Sequence, residues 1–403
     1  MPSLASAQAT PAFRLRAAET LLERAWAKGW ADRPTLDPGE LIGKAAAKSG
    51  HRPDTDPSGW RTRLDLLCAD LEGEAKLNRL GRTIAHGQLV AALANRFRAQ
   101  ALWRRYTEIA DQPLPAPIIV VGQMRSGTTR VQRLLACDPR LSSTRFYESW
   151  NPVPLRARRA WMDDRKLRGW LGLQAARLLN PRFDSIHPTS WNAVDEEIGL
   201  QSLSIFGSAF EAQWRVPNFC AAVEEGDALP AYREFKRLLQ MLAWLRGDDG
   251  TRPSILKVPQ FTQDLDVLLR VFPDARLVCL SRDQAEVVGS SASLSRNQMA
   301  LQSHDVDPQW ITREWARKVR LRQDRTAAAR ARADVPQIDV AFEDVTHDWE
   351  GEMRRVYAML GMTLPPAVVA AMRAYTRSTA QHRRSPHRYE VAASSDRLNP
   401  ATA

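Results

Sequence analysis

One stretch of the chain, residues 118–129 (IIVVGQMRSGTT), constrains the fold more than any other. Four apolar residues of high β-propensity lead into Gly122, and Gly127 precedes two threonines and an apolar pattern of helical period. This order of strand, glycine loop and helix start brings backbone N–H groups together around a phosphate. The two glycines keep the spacing of a nucleoside triphosphatase loop, but Thr128 stands where such a loop carries lysine. The stretch therefore predicts a loop for an anionic phosphate ester, with Arg125 as its cation.

Composition limits the class of protein and the kind of partner. The 403 residues are 44% hydrophobic, which allows one large α/β domain with an appendage, or two domains. A formal net charge of +11 indicates an acidic partner: nucleic acid, a membrane surface, or an anionic cofactor or substrate. The four cysteines lie far apart without metal-ligand spacing, which favours a reducing compartment. The N-terminus lacks a signal-peptide pattern, and no apolar segment reaches the ~20 residues of a transmembrane helix. We therefore expect a cytoplasmic protein without a transmembrane segment, of undetermined oligomeric state.

The chain divides into two predicted parts. Residues 1–112 read as an N-terminal helical extension, in which Asp37 is the predicted cap of a helix that begins at Pro38. Residues 113–395 read as a P-loop α/β domain with helical insertions at about 150–250. Within the insertions, the three acids at 195–197 precede an apolar run and are typical of a helix N-terminus, where they complement the dipole.

Two further cations follow predicted strands. Lys257 ends a short apolar strand, and Arg282 ends a longer one. Because ligands bind at the carboxyl ends of the strands of an open parallel sheet, both cations and the glycine loop are expected to converge on one ligand. Near the C-terminus, the basic segment at 381–389 contains His387 and Arg388, and a phosphate clamp is one interpretation of it beside a disordered tail.

With these motifs in order, the chain resembles the sulfotransferases that use 3′-phosphoadenosine-5′-phosphosulfate, in particular the bacterial branch related to tyrosylprotein sulfotransferases. The family loop G-x-P-R-S-G-T-T corresponds to residues 122–129, with Met124 in place of proline. A second family motif, an arginine at a strand end with a serine eight residues later, corresponds to Arg282 and Ser290. Gln284 replaces a proline that often follows this arginine. The resemblance covers residues from about 35 to 390.

The resemblance implies a role for each matching residue. The glycine loop would hold the 5′-phosphosulfate, and Arg282 with Ser290 would hold the 3′-phosphate. Lys257 would stabilise the transferring sulfuryl group together with Arg125. Glu148 corresponds to the family's carboxylate general base, whereas His187 lies near the position of the histidine base of the cytosolic branch, so the two are rivals. His387 and Arg388 would close over the nucleotide. The loop residues are Arg125, Ser126, Gly127, Thr128 and Thr129.

Together, the local pattern and the resemblance predict a P-loop-containing three-layer α/β fold, with a central parallel sheet flanked by helices and an N-terminal helical extension. The predicted activity is sulfuryl transfer from 3′-phosphoadenosine-5′-phosphosulfate to the hydroxyl of an alcohol or phenol, on a small molecule or a peptide, without a metal. Two alternatives remain at this point. A P-loop kinase or nucleotide hydrolase would need a loop lysine and magnesium, and Thr128 argues against it. A non-catalytic nucleic-acid-binding protein would use the positive charge and the basic, tryptophan-containing segment at 156–170, but no recognised nucleic-acid fold accompanies them, and no nucleic-acid partner is expected.

Overall fold

The computed structural model describes residues 11–53, 56–155, 163–180, 183–186 and 188–382. This part of the chain contains the strands β1 (Ile118–Val121), β2 (Ser142–Ser143), β3 (Ser254–Leu256), β4 (Arg276–Ser281) and β5 (Gln337–Ala341). The five strands are parallel and form one sheet in the order β2-β3-β1-β4-β5. The order places β1, the strand before the glycine loop, between β3 and β4, which Lys257 and Arg282 directly follow.

Helices cover both faces of this sheet and make up most of the described chain. They are α1 (Pro11–Ala27), α2 (Pro38–Ser49), α3 (Trp60–Gly73), α4 (Arg79–Arg105), α5 (Thr128–Leu135), α6 (Phe146–Trp150), α7 (Asp164–Leu179), α8 (Phe183–Ile186), α9 (Ile198–Ser202), α10 (Ser208–Glu211), α11 (Pro217–Glu225), α12 (Leu229–Arg246), α13 (Leu265–Val271), α14 (Gln284–Gln302), α15 (Pro308–Arg332), α16 (Phe342–His347), α17 (Trp349–Met359) and α18 (Pro366–His382). Two short 3₁₀ helices lie at Thr107–Asp111 and Pro259–Thr262.

The central strands are apolar without interruption because both of their faces are buried. Along β1, Ile119 and Val121 face a cluster that includes residues of α2, α3, α4 and α12. Ile118 and Val120 face the opposite cluster, which includes residues of α5, α17 and α18. The alternation of side chains along a strand thus divides the core into two apolar layers on either side of the sheet. The predicted three-layer α/β fold is confirmed.

The N-terminal helices pack against the rest of the chain. Asp37 accepts a hydrogen bond from the backbone N–H of Glu40 at 2.9 Å and caps α2, which begins at Pro38. Buried residues of α2 to α4, such as Trp60 and Phe97, belong to the same cluster as Ile119 of the central strand. The division of the chain at residue 112 stays a prediction.

A buried group of charges holds α15 beneath the glycine loop. Glu211 accepts a hydrogen bond from Arg322 at 2.6 Å and forms an ion pair with Lys318 at 2.9 Å, and all three side chains are buried. Burial tends to raise the pKa of Glu211, but the adjacent Arg322 and Lys318 charges outweigh it and lower that pKa. Gln123 of the loop donates to the carbonyl of Val319 at 3.0 Å. The ion pairs therefore fix the helix to which the loop is attached.

Candidate active site

The glycine loop between β1 and α5 depends on conformations and close contacts that favour glycine. Arg125 and Gly127 both have positive φ, 71° and 87°. A Cβ atom at Gly127 would lie 2.7 Å from Cδ2 of Phe342, and one at Gly122 would lie 2.7 Å from Cγ2 of Thr128. The loop can therefore wrap closely around a ligand because no side chain occupies these two positions.

We expect Gly127→Ala to lower the free energy of unfolding by about 1–3 kcal/mol, because a residue with a Cβ is strained at positive φ and the ring of Phe342 must move. Urea denaturation would measure the loss. Gly172→Ala is the matched control, since its Cβ meets nothing within 4 Å and alanine favours a helix. Equal stability of the two variants would show that the loop tolerates a side chain at 127.

Ser126 contributes to the internal structure of the loop. Its hydroxyl donates to the carbonyl of Gln123 at 2.6 Å and its N–H donates to the same oxygen at 3.2 Å. Ser126 and Thr128 are buried, and Thr128 begins α5, whose first N–H groups have no partner within the helix. These N–H groups at the positive end of the helix dipole form the anion-binding part of the loop.

Lys257, directly after β3, lies beside the N-terminus of α5. Its ammonium group donates to Oγ1 of Thr129 at 3.0 Å and forms an ion pair with Glu196. The lysine side chain is only 2% exposed, whereas that of Glu196 is 15% exposed. The lysine charge is thus held at the loop in a largely water-free position, where electrostatic interactions are strong.

Glu197, the residue that follows Glu196, binds the backbone of Lys257. Its Oε2 accepts the N–H of Lys257 at 2.8 Å, while Oε1 has no hydrogen-bond partner among the described residues. Complete burial raises the pKa of Glu197 to about 8, although the hydrogen bond from Lys257 opposes the rise. Burial thus favours the neutral form of this carboxyl group, and Glu196 is the carboxylate that forms the ion pair with the ammonium group.

Arg282, directly after β4, lies on the other side of the loop. Its guanidinium donates to the carbonyl of Arg125 at 2.8 Å, packs 4.2 Å from the ring centre of Phe342, and pairs with Glu286 at 2.6 Å. Arg125 in turn donates from Nε to the hydroxyl of Ser290, in α14, at 3.0 Å. The structure therefore brings Arg282, Ser290 and Arg125 together, so Arg125 lies beside the two residues predicted to hold the 3′-phosphate.

Glu148, in α6, lies in a buried ion pair. Its carboxylate accepts two hydrogen bonds from Arg246, at 2.6 and 2.8 Å, and one from the N–H of Arg145 at 2.9 Å. Burial tends to raise the pKa of Glu148, but the Arg246 charge outweighs it and the pKa is lowered. Glu148 is ionised at neutral pH, as a base must be, yet both of its oxygens already have donors.

The remaining predicted site residues are two histidines and one arginine. His187, His387 and Arg388 lie outside the described residues, so their predicted roles stay predictions.

The residues that sequence reasoning missed are Glu196, Glu197, Arg246 and Phe342. The acids at 195–197 were interpreted as a dipole complement, but Glu196 and Glu197 contact Lys257.

Among the described residues, no group of three or more histidine, cysteine, aspartate or glutamate side chains is arranged to hold a metal ion. None of the described helices combines the length and the apolar character that crossing a membrane requires.

Comparison with known proteins identifies the class to which this fold and site belong. Residues 117–366, more than half of the chain, match the profile of the Sulfotransferase family. The chain belongs to that family, and it is an enzyme that transfers sulfuryl groups. The matched range contains the glycine loop, Lys257, Arg282 and Ser290.

Solved structures of two mycobacterial proteins are similar to the chain. Sulfotransferase STF1 from Mycobacterium tuberculosis H37Rv is 27% identical, with a TM-score of 0.76 over 85% of this chain and 94% of that one. Sulfotransferase STF9 from Mycobacterium avium is 25% identical, with a TM-score of 0.76 over 86% of this chain and 88% of that one. No curated protein matches the sequence. These matches confirm the predicted family and its α/β fold.

Proposed function

We propose that the enzyme transfers the sulfuryl group of 3′-phosphoadenosine-5′-phosphosulfate to a hydroxyl group of an alcohol or phenol, on a small molecule or a peptide. The observation that carries this proposal is the pair of cation-lined positions on either side of one glycine loop. Lys257 with Thr129 lies on one side, and Arg282 with Ser290 lies on the other. A donor with phosphate groups at both its 5′ and 3′ positions suits such a divided site, whereas ATP lacks the 3′ group.

The residues present fit the 5′ end of this donor. The first N–H groups of α5 and the hydroxyl of Thr129 can donate hydrogen bonds to phosphate oxygens. Gly127 has no side chain, so the backbone of the loop can approach the ligand closely. The donor supplies an activated sulfuryl group whose leaving oxygen belongs to the 5′-phosphate. Lys257 and the helix N-terminus would stabilise the negative charge that develops as that oxygen leaves.

The 3′ side has a geometry that suits a phosphate. Arg282 is held between the carbonyl of Arg125 and the ring of Phe342, so its guanidinium is already oriented. Its present partner, Glu286, is 57% exposed, and an exposed ion pair of this kind contributes only ~0–1 kcal/mol. A phosphate at Ser290 would therefore replace Glu286 at little cost.

A group that accepts the proton of the acceptor hydroxyl completes the reaction. Glu148 and His187 are the rivals that the sequence offers, and both stay predictions. The family match favours sulfuryl transfer over the kinase and the nucleic-acid-binding alternatives.

Arg282→Ala tests the proposed donor. We expect roughly 10- to 100-fold weaker binding of 3′-phosphoadenosine-5′-phosphate, because a charge-assisted hydrogen bond contributes ~1.5–3 kcal/mol. Binding of adenosine 5′-phosphate, which lacks the 3′ group, should be nearly unchanged. Isothermal titration calorimetry with both nucleotides measures the difference.

Arg296→Ala serves as the matched control, because Arg296 is an exposed arginine of the same helix as Ser290. It removes the same charge without removing a group from the proposed site. Equal weakening of both nucleotides by Arg282→Ala would remove the assignment of the 3′-phosphate to Arg282. Failure of the unaltered enzyme to bind 3′-phosphoadenosine-5′-phosphate would contradict the proposed donor.

A further inference from the structure

A row of three side chains leads away from the glycine loop. Thr129 accepts a hydrogen bond from Lys257, and Lys257 pairs with Glu196. Thr129 lies at the N-terminus of α5, the predicted 5′-phosphosulfate position. Glu196 therefore contacts the lysine that lies beside the predicted 5′-phosphosulfate position. Its side chain is 15% exposed, so an incoming hydroxyl can reach it.

The backbone around Glu196 is fixed from two directions. Its carbonyl accepts a hydrogen bond from the hydroxyl of Ser149 at 2.7 Å, and its N–H donates to Asp195 at 2.9 Å. Ser149 also accepts the N–H of Gly199 at 3.0 Å. Glu196 is thus positioned by α6 and by the start of α9, as a group with a defined role in the reaction must be.

The oxygens of Glu196 are less occupied than those of Glu148. Among the described residues, Glu196 receives one side-chain contact, that of Lys257. Glu148 receives two hydrogen bonds from Arg246 and one from Arg145, and its side chain is 3% exposed. An acceptor hydroxyl that approached Glu148 would have to displace one of these donors, whereas Glu196 has free lone pairs.

We propose that Glu196 is the general base of the reaction, an inference that rests on the proposed function. Its carboxylate takes the proton of the acceptor hydroxyl as the acceptor oxygen forms its bond to sulfur. The bond between sulfur and the 5′-phosphate oxygen breaks, and its electron pair leaves with that oxygen, which Lys257 and the helix N-terminus stabilise. The products are a sulfate ester, 3′-phosphoadenosine-5′-phosphate and protonated Glu196, which then releases its proton to water.

Glu196→Gln in the full-length enzyme tests this role, since glutamine keeps the shape but cannot take the proton. The assay follows transfer of labelled sulfate from 3′-phosphoadenosine-5′-phosphosulfate to unsubstituted phenol, which is protonated at mildly alkaline pH. We expect kcat to fall by ~10²–10⁴-fold, the usual contribution of general-base catalysis. The Kd for 3′-phosphoadenosine-5′-phosphate should stay unchanged.

A second acceptor separates a base from a merely structural residue. A nitrophenol that is already ionised at the assay pH needs no base, so the loss caused by Glu196→Gln should largely disappear with it. Glu350→Gln is the matched control, because Glu350 is a partly exposed glutamate that pairs with Arg354 and Arg373 on α17 and α18. It should leave both rates as they are.

Other results of these assays would contradict either the role of Glu196 or the proposed function. Wild-type kcat in Glu196→Gln, or an equal loss with both phenols, would contradict the role of Glu196 and leave the proposed function intact. The selective loss in Glu148→Gln instead would make Glu148 the base. Absence of transfer by the unaltered enzyme to every phenol and alcohol tested would contradict the proposed function, and the role of Glu196, which rests on it, would fall with it.

Discussion

Lys257→Ala is expected to lower kcat by ~10²–10³-fold, the loss typical of removing one preorganised donor that stabilises transition-state charge. The ammonium group lies in a nearly dry position beside Thr129, where its charge acts on the leaving oxygen with little screening by water. Its removal also leaves the carboxylate of Glu196 without its paired cation. Uncompensated negative charge then lies close to the atoms on which the reaction develops further negative charge. Steady-state kinetics with the labelled donor would measure the change, together with the Kd for 3′-phosphoadenosine-5′-phosphate.

Lys236→Ala is a suitable control for this experiment. Lys236 is a half-buried lysine of α12 that contacts the carbonyl of Val271 and the ring of Phe272, and neither residue belongs to the site. Lys257→Arg would keep the charge in a different shape and should recover only part of the rate. A kcat of Lys257→Ala within about threefold of wild type would show that this charge does not act on the transition state.

Local signals in the sequence were sufficient to predict the loop and the strands β1, β3 and β4. The run of β-prone residues before Gly122, the two glycines and the following helical pattern predict β1, the loop and α5 at their observed positions. The strands that end at Lys257 and Arg282 follow from the same kind of signal. Since all five strands are parallel, their ends necessarily meet at one edge of the sheet.

Contacts between distant segments could not be read from local patterns. Lys257 and Glu196 are 61 positions apart, and Glu148 and Arg246 are 98 apart. The acids at 195–197 have the composition of an ordinary helix start, and only the packing of the segment before α9 against β3 shows that two of them hold a lysine. Likewise, Phe342 begins a short helix after β5, and nothing in its surroundings in the sequence indicates that it supports Arg282 and restricts Gly127.

The ion pair of Glu148 and Arg246 leads to a prediction about stability. Glu148→Gln should lower the free energy of unfolding by about 2–4 kcal/mol at neutral pH, because the guanidinium of Arg246 loses its nearest carboxylate charge in a largely buried position. The remaining contact of Arg246 with Asp248, at 3.8 Å, and its 19% exposure keep the loss below that of a completely buried pair. Urea denaturation of the wild type and the variant would measure it, with Glu350→Gln as a surface control.

The same pair predicts how this loss changes with pH. The pKa of Glu148 in the folded enzyme is lowered from its usual value of 4.5, since the Arg246 charge outweighs the effect of burial. The stabilisation is therefore fully present above about pH 4.5 and is lost as the pH falls through the lower pKa of the folded state. The difference in unfolding free energy between wild type and Glu148→Gln should shrink over that acidic range. A difference that stayed constant down to the acid limit of folding would show that Glu148 stabilises the fold by its shape and hydrogen bonds, independently of its charge.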